Sequence, residues 1–407
     1  MGAGAVHQRA RAATGPCLSG QPYLAGITVS WSASGRMPGR VSQGARMKAV
    51  AVFPQKREVR VITDAPEPRI QSPTQVKVRT REIGVCGTDK EIIEFVYGSP
   101  PPGSDHLILG HECLGEVVEV GEAVRGLSRG DWVVPRVRRP CPHATCPPCR
   151  GGHPDFCITG DYTERGIKGA HGFGAESFVE DVAYLHRVPA ELREVAVLTE
   201  PLTIAEKALR QLERFQDRLP WRAGPGRAVV LGAGPVGLLG AMALARRGYA
   251  TTVYSRSPKP NVKAEASEAM GVPYISSKEV RPEELVRRVG AADVIYEAAG
   301  VAKAALETLK ALGPNGVCIL TGVPSKEEPF DVSPVLKDVV LGNQVLVGTV
   351  NAADVDFDMA LEDLRHFQAR WPGGLERLIC ARHSPEDFCD VVTGKKSGGI
   401  KDVIRFI

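Results

Sequence analysis

The sequence has no run of basic residues, no uninterrupted apolar segment of membrane length and no internal repeat. The first absence argues against a nucleic-acid partner. The nearest approach to a membrane segment is Ala228–Ala245, 18 consecutive uncharged residues, long enough to raise a spanning helix. Four glycines and a proline inside it fit a nucleotide-binding turn better. Residues 1–46 lack lysine and any acid, yet hold Arg9, Arg11, Arg36, Arg40 and Arg46. The whole chain, with 51 basic and 47 acidic residues, carries +4, which by itself hints at an anionic partner. Without the first 46 residues, 46 basic and 47 acidic residues remain, a net of −1. The basic tilt therefore belongs to the tail. Composition is otherwise that of an ordinary soluble protein, 43% hydrophobic and 24% charged. That excludes a disordered chain, a collagen and a disulfide miniprotein. A length of 407 residues predicts two or three domains.

The tail, rich in Gly, Ala, Ser and Arg, reads as disordered. Three origins compete: a transit peptide, a weak secretory signal around Tyr23–Trp31, or upstream sequence read from the wrong start codon. The last is favoured, because Met47 opens MKAVAVFPQ, an alternating run that predicts a first strand. From there to about residue 200 the chain predicts short strands and turns, with no long helical period before Ile204. Pro220–Gly226 reads as a linker. Strands are then expected at Ala228–Leu231, Thr251–Tyr254, Asp293–Tyr296 and Val317–Thr321. Helices are expected at Val236–Arg247, Val262–Met270, Pro282–Arg288 and Lys303–Leu312. This alternation predicts a doubly wound parallel sheet. The chain ends on a predicted strand, Asp402–Ile407.

Gly232-Ala233-Gly234-Pro235-Val236-Gly237 is a GxGxxG between a predicted strand and a predicted helix, the context that gives the motif meaning. Gly232 permits the tight turn, Gly234 lets backbone N–H groups approach a pyrophosphate, and Gly237 lets the helix pack on the strand. An NAD-selective site would carry an acid after the second strand. Here stand Ser255-Arg256-Ser257, and an arginine suits a 2′-phosphate, so NADP is expected to be accepted.

Cys141, Cys146, Cys149 and Cys157 put four of ten cysteines inside 17 residues, the spacing of a closed structural zinc site. His143 is an alternative to Cys141 as first ligand. Cys86, in GVCGTD, and His111 with Glu112, in GHECLG, offer the thiol, imidazole and carboxylate of an open, catalytic zinc site. No spacing in the sequence joins Cys86 to His111.

GVCGTD, GHExxG, a cysteine-rich lobe and a later GxGxxG, in this order, resemble the zinc-dependent medium-chain dehydrogenase/reductase superfamily. RRPC…CPPCRGGHPDFCITGDYTERGI, LTEPLTIAEKAL and GTVNAADVDF resemble its glucose 1-dehydrogenases of archaeal type. The resemblance covers Met47 to Ile407. It implies an α/β protein: a GroES-like β-barrel catalytic domain over 47–202 with the zinc lobe at 141–157, a Rossmann domain over 203–345, and a return to the catalytic domain over 346–407. It implies catalytic zinc on Cys86, His111, Glu112 and, directly or through water, Glu200. It places sugar contacts on Thr88, Glu164, Glu200 and Asn351. Cofactor contacts fall on Gly232–Gly237, Ser255, Arg256, Ser257, Thr321, Gly322, Val323, Thr349, Val350, Asn351 and a late lysine, Lys395. The implied reaction is oxidation of glucose at C1 to the lactone. Zinc acts as Lewis acid, hydride passes to NADP or NAD, and Thr88 relays the proton. A cytoplasmic homodimer or homotetramer with no membrane or nucleic-acid partner is expected.

There are two departures. Ile204 stands where some relatives carry a sugar-binding aspartate, and the lobe holds two extra residues between its first two cysteines. Competing readings are a zinc dehydrogenase of another polyol, amino alcohol or alcohol, and a non-catalytic nucleotide-binding relative. The Cys86, His111 and Glu112 set argues against the latter.

Overall fold

The structure is a computed structural model and describes residues 45–221, 224–324, 326 and 328–406. The readings of the tail fall outside this range, save its last two residues. Met47 lies in the strand Arg46–Phe53, which pairs antiparallel with Glu58–Pro66.

The first body is a β-barrel-like assembly around a seven-stranded sheet. Its path runs Leu185–Val188, Trp132–Pro135, Glu112–Val120, Gln75–Gly84, Lys401–Arg405, Ile379–His383, with Ser177–Asp181 also on Gln75–Gly84. Strand side chains alternate between faces, so Val76 and Val78 point inward and meet Val117, Val133, Phe173, Phe178 and Ile404. The strand Lys401–Arg405, near the end of the chain, lies directly beside Gln75–Gly84, with Val403 opposite Gly84.

The second body is a six-stranded parallel sheet in the order Tyr274–Ser276, Ala250–Ser255, Arg227–Leu231, Ala292–Glu297, Leu312–Leu320, Val345–Gly348. Numbered along the chain, that order is 3-2-1-4-5-6, the doubly wound arrangement whose ligand crevice lies where the order reverses. Helices cover both faces, which is why Val229 and Val230 are fully buried and the strand reads as continuously apolar. The uncharged run Ala228–Ala245 is divided between the strand Arg227–Leu231 and the helix Pro235–Arg246. Among the described residues, no helix is long and apolar enough to cross a membrane.

Two long helices, Thr199–Gln216 and Asp354–Arg370, join the bodies. Arg210 on one grips Asp356 on the other with two hydrogen bonds of 2.8 and 2.9 Å, the bidentate geometry that gives direction as well as energy. The first helix begins at Thr199, five residues before the expected periodicity. Pro201 is tolerated in a first turn, where its missing N–H has no helical partner anyway. The expected boundary at 202/203 therefore falls inside a helix, and that at 345/346 inside the strand Val345–Gly348. The helix expected to run to Leu312 stops at Thr308, and Leu312 already begins the next strand.

Candidate active site

The joining of Cys86 to His111 is a matter of strand register. Gln75–Gly84 and Glu112–Val120 pair antiparallel with Gly84 opposite Glu112. Cys86, two residues past one strand end, thus falls beside His111, one residue before the other strand begins. Cys86, His111 and Glu112 bring one ligand atom each to within 4.8 Å of one another. Gly84 makes this possible, because a Cβ there would meet Glu112 Oε2 at 2.0 Å.

Two residues that the sequence reading passed over complete the surroundings. Asp89 is fully buried, accepts from the Cys86 backbone N–H at 2.9 Å and stands 3.6 Å from His111 Nδ1. A carboxylate behind the imidazole orients a metal-binding histidine. Lys401, also buried, donates to Glu112 Oε2 at 2.5 Å and to the Val85 carbonyl at 2.9 Å. Burial opposes a charge on His111, yet the Asp89 carboxylate and the Cys86 sulfur outweigh it and raise its pKa well above the ordinary imidazole value. The site concentrates anionic groups around few cations, and its donor set suits zinc. Thr88 Oγ1 lies 3.9 Å from Cys86 Sγ.

Glu200 falls outside the three-donor set. It is half-buried in the first turn of Thr199–Gln216 and feels His111, Glu112, Lys401 and Asp89 electrostatically. Burial pushes its carboxyl up to about 7, with His111 and Lys401 opposing and Glu112 and Asp89 adding to the rise. Ile204 follows one turn later on the same helix face.

In the lobe, Cys141, Cys146, Cys149 and Cys157 converge within 4.8 Å. Four sulfurs held tetrahedrally at about 2.3 Å from one ion stand about 3.8 Å apart. Cys146 Sγ and Cys157 Sγ are 3.9 Å apart. The four residues therefore fit a zinc ion. The exposed His143 is not in this set, and its ring bonds Asp161 instead.

The glycine-rich turn is shaped as the motif requires. Gly232 has φ +108°, and a Cβ on Gly237 would meet the Gly232 carbonyl at 2.2 Å. Nothing lies within 4 Å of a Cβ position on Gly234, so the space before the helix Pro235–Arg246 is open to an incoming phosphate. Ala233 is buried, and Pro235 and Val236 begin the helix. Ser255 closes the second strand and Arg256 and Ser257 follow it, where the Tyr274 and Ser276 hydroxyls donate to the carbonyls of Ser257 and Arg256 and the Arg256 side chain is exposed.

A cavity of about 550 Å³ opens at the strand ends, lined by Thr321, Gly322, Val323, Thr349 and Val350 among others. Glu297 shapes its floor, with its carboxylate accepting from the backbone N–H groups of Ala299, Gly300 and Gly322. Thr349 Oγ1 is buried with no partner among the described residues, an orphan that a ligand would satisfy. Lys395 is not on this wall. It is exposed, 3.6 Å from Asp390, because the turn after the short helix Phe388–Val392 carries it into solvent.

Glu164 and Asn351, 187 residues apart, are bonded to each other: Asn351 Nδ2 donates to Glu164 Oε1 at 2.8 Å. Arg138 donates to the same oxygen from Nε at 3.0 Å and Nη2 at 2.9 Å. Three donors converge on Oε1, and among the described residues none bonds Oε2, which is free to accept from a ligand.

Comparison with known proteins places these features together. Residues 193–406 match the model of the glucose dehydrogenase C-terminus, and residues 72–190 that of the alcohol dehydrogenase GroES-like domain. The chain is 41% identical over 352 residues to a glucose 1-dehydrogenase of Methanocella arvoryzae, covering 86% of this chain and 97% of the relative. It is 43% identical over 335 residues to that of Thermoproteus tenax, covering 82% and 92%. The structure superposes on the glucose dehydrogenase of Haloferax mediterranei in complex with NADP, Zn and gluconolactone. The TM-score is 0.80 at 36% identity, over 89% of this chain and 99% of that one. The chain belongs to the glucose 1-dehydrogenase family of the zinc-dependent medium-chain dehydrogenase/reductase superfamily.

Proposed function

We propose that this protein oxidises D-glucose at C1 to gluconolactone, with hydride transfer to NADP or NAD. The observation that carries the reading is the gathering of Cys86, His111 and Glu112 within 4.8 Å in a chain of this family. Zinc held by these three residues supplies Lewis acidity at an open position. The chain's own residues supply the rest. Glu164 Oε2 accepts a hydrogen bond from a sugar hydroxyl, a contact no apolar pocket offers. Asn351 steadies Glu164 from the far wall. Thr88 takes the proton from the C1 hydroxyl and passes it outward. The apolar walls of the cavity keep water from the nicotinamide.

Ile204, an apolar side chain one turn from Glu200, supports a second reading in which other aldoses are also oxidised. A panel of glucose, galactose and xylose with both cofactors tests both readings. The first expects the highest kcat/KM for glucose, the second comparable values for galactose or xylose, and turnover of none of the three sugars contradicts both.

Arg256 supports a preference for NADP. A charge-assisted hydrogen bond to a phosphate contributes about 1.5–3 kcal/mol. Arg256→Ala is therefore expected to lower kcat/KM for NADP by about 30-fold and to leave the value for NAD nearly unchanged. Equal losses with both cofactors would remove Arg256 from the phosphate site.

A homodimer or homotetramer is part of the proposal. Leu336, Val340 and Leu341 leave an apolar face exposed on the helix Ser333–Leu341, beside the edge strand Val345–Gly348, a pairing that invites a second copy. Light scattering is expected to give a mass at least twice that of one chain, and a monomeric mass contradicts it. The nine described cysteines are all free, which supports a reducing, cytoplasmic location.

A further inference from the structure

Lys207 has no place in the chemistry described so far, yet it is among the largest fully buried side chains in the protein. It lies on the helix Thr199–Gln216, seven residues after Glu200 and so on the same face. Its Nζ is 2.8 Å from Asp155 Oδ2 in the cysteine lobe and donates to the Val350 carbonyl at 2.8 Å. The Phe156 ring centroid is 4.3 Å from the same nitrogen. Lys207, Asp155 and Val350 all line the 550 Å³ cavity, whose walls are otherwise mostly apolar.

These contacts close a circuit. From Asp155 the path runs through its backbone carbonyl to Arg138 Nη1 at 3.5 Å, then to Glu164, and from Glu164 to Asn351, the residue after Val350. Asn351 has φ +61°, so the backbone turns sharply here and needs holding on both sides. Glu164 holds the side chain of Asn351. Lys207 holds the carbonyl before it.

We propose that Lys207 is a positioning residue for the cofactor: by clamping the Val350 carbonyl to the lobe through Asp155, it fixes the Thr349–Asn351 wall of the cavity and so sets NADP affinity. This rests on the cofactor reading above, and is read from binding rather than turnover. A lysine that merely filled the core would give a different pattern. Removing it strands Asp155 as an unpaired buried charge, which destabilises the fold. Neutralising Asp155 as well relieves that penalty without restoring the clamp.

The test compares wild type, Lys207→Met and Lys207→Met/Asp155→Asn by thermal melting and by fluorescence titration with NADPH. Lys207→Met is expected to lower Tm and to weaken NADPH binding by about tenfold, the worth of one charge-assisted hydrogen bond. In the double variant Tm should recover and affinity should remain weak. KM for NADP should follow the affinity, while KM for glucose, secured by Arg138, changes little. Recovery of affinity together with Tm would overturn the proposal, since Lys207 would then act through stability alone. A wild type that binds NADPH but leaves glucose untouched would defeat the assigned substrate and leave this inference standing.

Discussion

Cys86→Ser is expected to lower kcat by about a thousandfold while the fold persists. Serine keeps the shape of the side chain but presents a neutral hydroxyl where the site needs a thiolate. Two protein donors, His111 and Glu112, are then left to hold the ion. A Lewis acid contributes several kcal/mol of transition-state stabilisation, and roughly 4 kcal/mol corresponds to about three factors of ten in rate. The structure predicts that nothing else collapses. Glu112 stays neutralised by the buried Lys401, and Asp89 still accepts the backbone N–H of residue 86. Zinc content should therefore fall by about one ion per chain, with an unchanged circular dichroism spectrum. Full activity in this variant would remove Cys86 from the metal site.

The lobe predicts the opposite balance. Cys141, Cys146 and Cys149 form a buried cluster of their own, with Cys157 packed against it and no larger apolar side chain among its members. Its cohesion must come from the ion that four thiolates hold. Cys146→Ser, at a residue with no exposure at all, should release that ion. Loss of a structural metal belongs to the small class of changes that destabilise by about 4 kcal/mol or more. With an unfolding entropy of about 2.1 cal/mol/K per residue over the folded chain, Tm is expected to fall by about 5 °C or more. Activity should fall too, because Asp155 and Glu164 are anchored in and just after the lobe. A variant with wild-type Tm and one ion fewer would contradict a structural role for the cluster. Together the two substitutions separate an ion that serves chemistry from one that serves the fold.

The nucleotide half was legible because its signals are local. Gly232, Gly234 and Gly237 fall within six residues, between a strand and a helix that also declare themselves by period. The four lobe cysteines are also local, within 17 residues. The three-donor cluster was not legible from spacing, since Cys86 meets His111 only through a register that places Gly84 opposite Glu112. That register is a tertiary fact, and only the family resemblance anticipated its result. Lys401 escaped for the same reason, as the partner of a residue 289 positions away. No sign of it was available, since Lys401 opens a strand, Lys401–Arg405, in which three of the five residues are charged. By analogy Glu200 holds the ion directly or through water. The helix that begins at Thr199 sets it beside the cluster rather than in it, and Pro201 hid that helix from the periodic pattern. Lys395 enters only by analogy, and its turn leaves it exposed beside Asp390, as Arg256 is exposed after its own strand.

The most direct measurement is NADPH formation by the purified, zinc-loaded protein given β-D-glucose and NADP, before and after chelation. Glucose-dependent NADPH formation that stops when zinc is removed and returns when zinc is restored is the expected result. Absence of glucose-dependent reduction with zinc supplied would contradict it.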